Sequence, residues 1–172
     1  MKYAAGACIP MRSIKEIIGI IKSDSRCQVL PVSGALPPLP SADMAYPNDL
    51  VEFYSLCGGV ILFRAGRGNV SFKILPAGEV LQTNMLVVGE PCEDDISFSW
   101  YAICKTDNGD FISIDTSRGR RGRCYDSNSE IHGVAGSCPI IALSFSELLC
   151  ELYRSSGIDV FWKARDYGDA YA

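Results

Sequence analysis

Residues 100 to 115 read WYAICKTDNGDFISID, and this stretch restricts the fold more than any other. Two runs of sheet-favouring side chains flank a short polar DNG break, a pattern that closes an antiparallel hairpin. Asn108 and Gly109 both favour the positive φ that a tight turn needs, so the turn is expected at that pair. Around the hairpin, Gly, Asn and Asp clusters separate further runs. They predict strands near 59–64, 70–75, 85–88, 99–105, 110–115 and 122–125.

Helical signals bracket this strand-rich centre. Ser13 and Glu16 have the spacing of a capping box, and Ile14, Ile17, Ile18 and Ile21 form one stripe, which predicts a helix over about 13–23. The stretch PVSGALPPLPSADMAYP then reads as an extended surface connection. A second helix opens with Pro47 at its first helical position and Asp49 and Glu52 near the positive end of its dipole. Leu50, Val51, Tyr54 and Cys57 follow at helical spacing, and Gly58 and Gly59 allow a left-handed cap before the strand VILF. Ser144 with Glu147 makes another capping box, with Leu143 and Leu148 as a hydrophobic staple and Phe145, Leu148, Leu149 and Leu152 on one face. Gly157 closes that helix, and the aromatic tail IDVFWKARDYGDAYA is expected to dock on the body. The sum is an α+β domain, one unit over residues 1–172, with helices covering a largely antiparallel sheet.

Charge narrows the function classes. The formal net charge is -4, which disfavours a polyanion ligand such as nucleic acid. Residues 116–127, TSRGRRGRCYDS, are the exception and are expected to form an exposed hairpin loop. No aliphatic run approaches the ~20 residues of a membrane span. MKYAAGACIP places small residues before Cys8 without the apolar run of a leader, so the chain reads as cytoplasmic. The eight cysteines lack a secretory context and read as small buried hydrophobes.

LVEFYSLCGGVILF, CEDDISFSWYAICKTDNGDFISID, GRCYDS followed by IHG, and GSCPIIALSFSELL, in this order over roughly residues 45–155, resemble the SUKH superfamily, and within it the Smi/Knr-type branch of cell-wall-assembly regulators. The resemblance implies a strongly bent sheet flanked by helices. It also implies a non-enzymatic binding role: many bacterial members are immunity proteins that block a toxin domain, and fungal members are adaptors in cell-wall signalling. The recurrent motif positions map to Gly58, Gly59, Trp100, Asp115 and Phe145, each with a structural rationale.

The residues themselves offer three candidate sites. Cys124, Asp126 and His132 supply a nucleophile, an orienting carboxylate and the sole histidine, but no nucleophile signature surrounds Cys124. Cys124, His132 and Cys138 offer zinc donors without the paired spacing of a structural site, and neither GRGN nor the arginine loop has phosphate-loop order. Glu90, Glu93, Asp94 and Asp95 form an acidic run suited to a basic partner surface, with Arg118, Arg120 and Arg121 as a secondary contact region. The expectation is a non-enzymatic immunity protein that needs no cofactor, metal, small-molecule substrate, nucleic acid or membrane. Its partner would be a cognate toxin domain, for which a basic nuclease fits the acidic run. A regulatory adaptor is the alternative, and a cysteine hydrolase the third reading.

Overall fold

The computed structural model describes residues 12–64, 70–158, 160–164 and 167–172, so Cys8 and the GRGN stretch lie outside the described residues. Helix α1 spans Ile14–Ser23, α2 Asn48–Leu56, α3 Thr83–Val87 and α4 Phe145–Arg154. The strands are β1 (Gln28–Leu30), β2 (Gly59–Leu62), β3 (Phe72–Ile74), β4 (Leu81–Gln82), β5 (Trp100–Thr106), β6 (Phe111–Asp115), β7 (Cys124–Ser127) and β8 (Ile140–Ala142). All pairings are antiparallel, in the order β1-β2-β3-β5-β6-β7-β8. Strand β4 joins the far end of β5, opposite Tyr101 and Ala102, beyond the segment of β5 that pairs with β3. Bulges at Ala102/Cys104 and at Cys124/Tyr125 interrupt the ladder, and bulges bend a sheet. The α+β architecture expected from the sequence is present.

The register sorts side chains onto two faces. Val60, Leu62, Phe72, Ile74, Cys104, Ile112, Ile114 and Cys124 meet α1, α2 and α4 in the main core. There Ile14, Ile17, Ile18 and Ile21 are buried along α1, and the Phe53 and Phe145 rings of α2 and α4 meet edge-on at 5.0 Å. Asp49 accepts hydrogen bonds from the Ser146 amide and hydroxyl at 2.8 and 2.9 Å. Its carboxylate thus serves the exposed donors in the first turn of α4, not only the dipole of its own helix. The second face carries a smaller cluster of Trp100, Tyr125, Cys138, Ile140 and Ala170.

Several local expectations are corrected. The 85–88 strand is part of helix α3, and the strand lies just before it at Leu81–Gln82. Pro47 is the N-cap of α2, with extended backbone, so the first helical residue is Asn48. Gly58 and Gly59 make no left-handed cap; Cys57 ends the helix in extended conformation. Gly58 is needed for space, since a Cβ there would sit 1.9 Å from the Pro31 carbonyl oxygen; Gly59 combines a positive φ of 134° with a Cβ position 2.7 Å from the Ile74 carbonyl oxygen. In the β5–β6 turn Gly109 alone has positive φ, and its amide bonds back to the Thr106 carbonyl, which makes a longer connection than an Asn-Gly pair. Leu143 is exposed and staples nothing; its amide instead donates to Glu147 Oε2, while Ser144 Oγ accepts from the Glu147 amide. The tail does dock. Trp162 is buried against the main core, and Ala170 and Tyr171 join the second cluster.

Candidate functional site

The second face of the sheet brings Asp115, Arg120, His132 and Cys138 together around Trp100 and Tyr125. Asp115 ends β6 with its side chain fully buried and collects five donors. Oδ1 accepts from Ser99 Oγ and the Ser117 amide, each at 2.8 Å. Oδ2 accepts from Trp100 Nε1 at 3.2 Å, Arg120 Nε at 3.0 Å and Tyr125 Oη at 3.0 Å. The Trp100 and Tyr125 rings stack at 4.1 Å, and burial raises the Tyr125 phenol further above its ordinary range. Every acceptor site of this carboxylate faces a fixed protein donor, which describes a structural hub rather than a reacting group. Arg120 is therefore half-buried against the fold instead of extending to a partner, as an exposed loop would have it. Arg118, by contrast, lies beside Asp43 at 3.6 Å with both side chains more than 80% exposed, and Arg121 is exposed.

His132 packs its ring edge against Trp100 and shares a 2.7 Å hydrogen bond between Nε2 and Asn84 Oδ1. Its Nδ1 is buried without a hydrogen-bond partner. Burial lowers its pKa, opposed by nearby Asp95, so the neutral ring is favoured, donating from Nε2 to Asn84. Cys124 is on the other side of the sheet, in the main core, where burial pushes its thiol well above the ordinary value. The register makes this separation firm: Cys124 is opposite Ile114, whereas Tyr125, opposite Ser113, faces the Trp100 side. Asp126 accepts from Trp162 Nε1 and the Asn128 amide. The nucleophile, base and carboxylate of the hydrolase reading are thus not brought together. The same separation splits the zinc donors, since Cys138 belongs with Trp100 and Cys124 does not. Among the described residues no three His, Cys, Asp or Glu side chains are grouped to hold a metal.

The acidic run leads from α3 into β5 and divides into two roles. Asp95 caps the 3-10 turn Ile96–Ser99 by accepting from the Ser97 amide at 2.8 Å, and takes a second bond from Tyr171 Oη at 2.8 Å. Partial burial works against its charge, yet these bonds and His132 hold its pKa below the ordinary value. Glu90, Glu93 and Asp94 are exposed and form no ion pair among the described residues. They stand beside α3, whose packing was missed at the sequence level. Thr83 Oγ1 bonds Ser113 Oγ at 2.7 Å, and that hydroxyl bonds Ser127 Oγ at 2.6 Å. Asn84 Nδ2 donates to the Pro91 carbonyl at 2.8 Å, and Gln82 Nε2 donates to that of Phe98 at 2.8 Å. Met85, Leu86 and Val88 face outward. Adjacent polar positions before an aliphatic run were the available signal, and the run's strand-like composition masked it.

No helix among the described residues is long and apolar enough to cross a membrane. The model of the SMI1 / KNR4 family (SUKH-1) matches residues 42–151, the span from just before α2 through most of α4. The chain is 37% identical over 164 residues to a Bacillus subtilis protein named Immunity protein YokJ, a match that covers 92% of this chain and 96% of that one. No solved structure gives a significant match. A family match over more than half the chain, together with a near full-length relative at this identity, establishes that the chain belongs to the SMI1 / KNR4 (SUKH-1) family.

Proposed function

We propose that this chain is a non-enzymatic immunity protein that acts in the cytoplasm and neutralises a toxin by direct one-to-one contact. The observation that carries this reading is the 37% identity to Immunity protein YokJ across 92% of the chain. The absence of an assembled Cys124–Asp126–His132 site is consistent with inhibition by binding. Within the acidic run, Glu90, Glu93 and Asp94 are the carboxylates available to a partner, because Asp95 is committed to its cap and to Tyr171. Arg118 and Arg121 form a second accessible region, while Arg120 is held by Asp115.

A basic nuclease is the toxin class that fits these carboxylates, which would occupy the surface that receives phosphates and accelerate encounter. Co-expression with the toxin encoded beside this gene tests the function. Growth restored by this chain, with a 1:1 complex on gel filtration, is the expected result. Killing that continues unchanged, with the two proteins eluting apart, would exclude it.

A further inference from the structure

Helix α3 is amphipathic the wrong way round. A surface helix ordinarily turns apolar residues inward and polar residues to water. Here Thr83 and Asn84 are buried and hydrogen-bonded to Ser113, His132 and Pro91, while Met85 is 50% exposed, Leu86 38% and Val88 53%. Leu81, in strand β4 just before the helix, is 47% exposed. Four of the eleven exposed large hydrophobics of the described residues therefore fall within eight consecutive positions, and the other seven are spread from residue 32 to 167. Clustering of this kind marks an interaction surface, whereas scattered exposed aliphatics do not.

Folding accounts for the buried polar side through its hydrogen bonds, but not for the apolar outer side. Charge limits what covers the outer side. Glu90, Glu93 and Asp94 border the ridge unpaired among the described residues. A second copy docked here would bring like charges together, and an anionic membrane would be repelled. The surface is also held in advance of binding, with Asn84 tied to His132 and Asp95 to Tyr171, so little ordering is left to association.

We infer that Leu81, Met85, Leu86 and Val88 are the apolar anchor of the partner interface, and that the partner presents an apolar depression rimmed by Lys and Arg. This deepens the immunity reading and rests on it. The anchor supplies the slow dissociation, and the three carboxylates supply rapid, oriented encounter.

The test uses the full chain and the adjacent-gene toxin domain, silenced by substitution of its own catalytic residue, in calorimetric titration. Met85→Ser with Val88→Ser, both at exposed positions, should leave the unfolding midpoint unchanged and weaken binding about thirtyfold or more. Val51→Ser, at an exposed apolar position on α2, is the comparison variant and should bind as the parent does. Parent binding retained in Met85→Ser/Val88→Ser would overturn the anchor and leave the immunity reading standing. A parent chain that neither binds nor protects would overturn both. A parent dimer on sedimentation that this double variant abolishes would assign the ridge to a second copy and overturn the inferred partner.

Discussion

Asp115 shows how a single carboxylate can organise a sheet face. Removing it strands the buried Trp100 and Tyr125 donors, and each orphaned polar group costs about 1–3 kcal/mol. Asp115→Ala should therefore lower stability by about 3–5 kcal/mol in urea unfolding, whereas Arg120→Ala, which leaves the buried carboxylate its other donors but no cation, should cost less, about 2–3 kcal/mol. His132 provides a pH dependence. Burial lowers its folded-state pKa, so the unfolded chain binds the proton first, near its ordinary value of ~6.5. Its contribution is present above that pH and is lost as pH falls through the lowered folded value. The thermal midpoint should drop between pH 7.5 and 5.5, and His132→Gln should flatten that drop. A drop of equal size in both proteins would assign it elsewhere. Asp95 and Asp169, both lowered, lose their contributions in a separate window below the ordinary carboxylate value of 3.8.

At the scale of elements, the tightest constraint is the passage from α2 into β2. Leu30 accepts a hydrogen bond from the Gly58 amide at 2.9 Å, and the Pro31 carbonyl occupies the place a Gly58 Cβ would need. Gly58→Ala must displace backbone rather than a flexible side chain. It is expected to cost at least about 2 kcal/mol, read as a lower denaturation midpoint. The sequence announced this passage, but the warrant it offered, a left-handed cap, was not the operative one, because the approach of β1 is a tertiary fact. The legible elements were those with local signals: the Ser13 and Ser144 caps, the four isoleucines of α1, and the β5–β6 hairpin. Short strands β1 and β8 escaped notice since three residues carry no periodicity. The run MLVV at 85–88 looks like a strand because β-branched residues look buried, and the hydrogen bonds that turn Thr83 and Asn84 inward include those with Ser113 and His132, 30 and 48 positions away. The acidic run was visible from the start. Which of its carboxylates remain free was not, since Tyr171 reaches Asp95 from 76 positions away.

For the whole molecule, the two sheet faces divide the labour. One buries the helices α1, α2 and α4; the other joins the tail, the His132 loop and the acidic segment around Trp100. With Glu90, Glu93 and Asp94 acting in encounter, the association rate with a basic toxin domain should fall about tenfold or more from 50 to 500 mM salt, by stopped flow. Charge reversal at Glu93 and Asp94 should flatten that slope and leave dissociation nearly unchanged. A salt-independent rate in the parent chain would argue that these carboxylates do not steer. The inverted polarity of α3 carries a further consequence. Because its inner polar side secures the helix, the outer side chains, only about half covered, can be exchanged at small cost to folding. Recognition is thereby uncoupled from stability, so a scaffold of this kind can be re-targeted to a changed opponent by altering a few neighbouring positions while its core stays as it is.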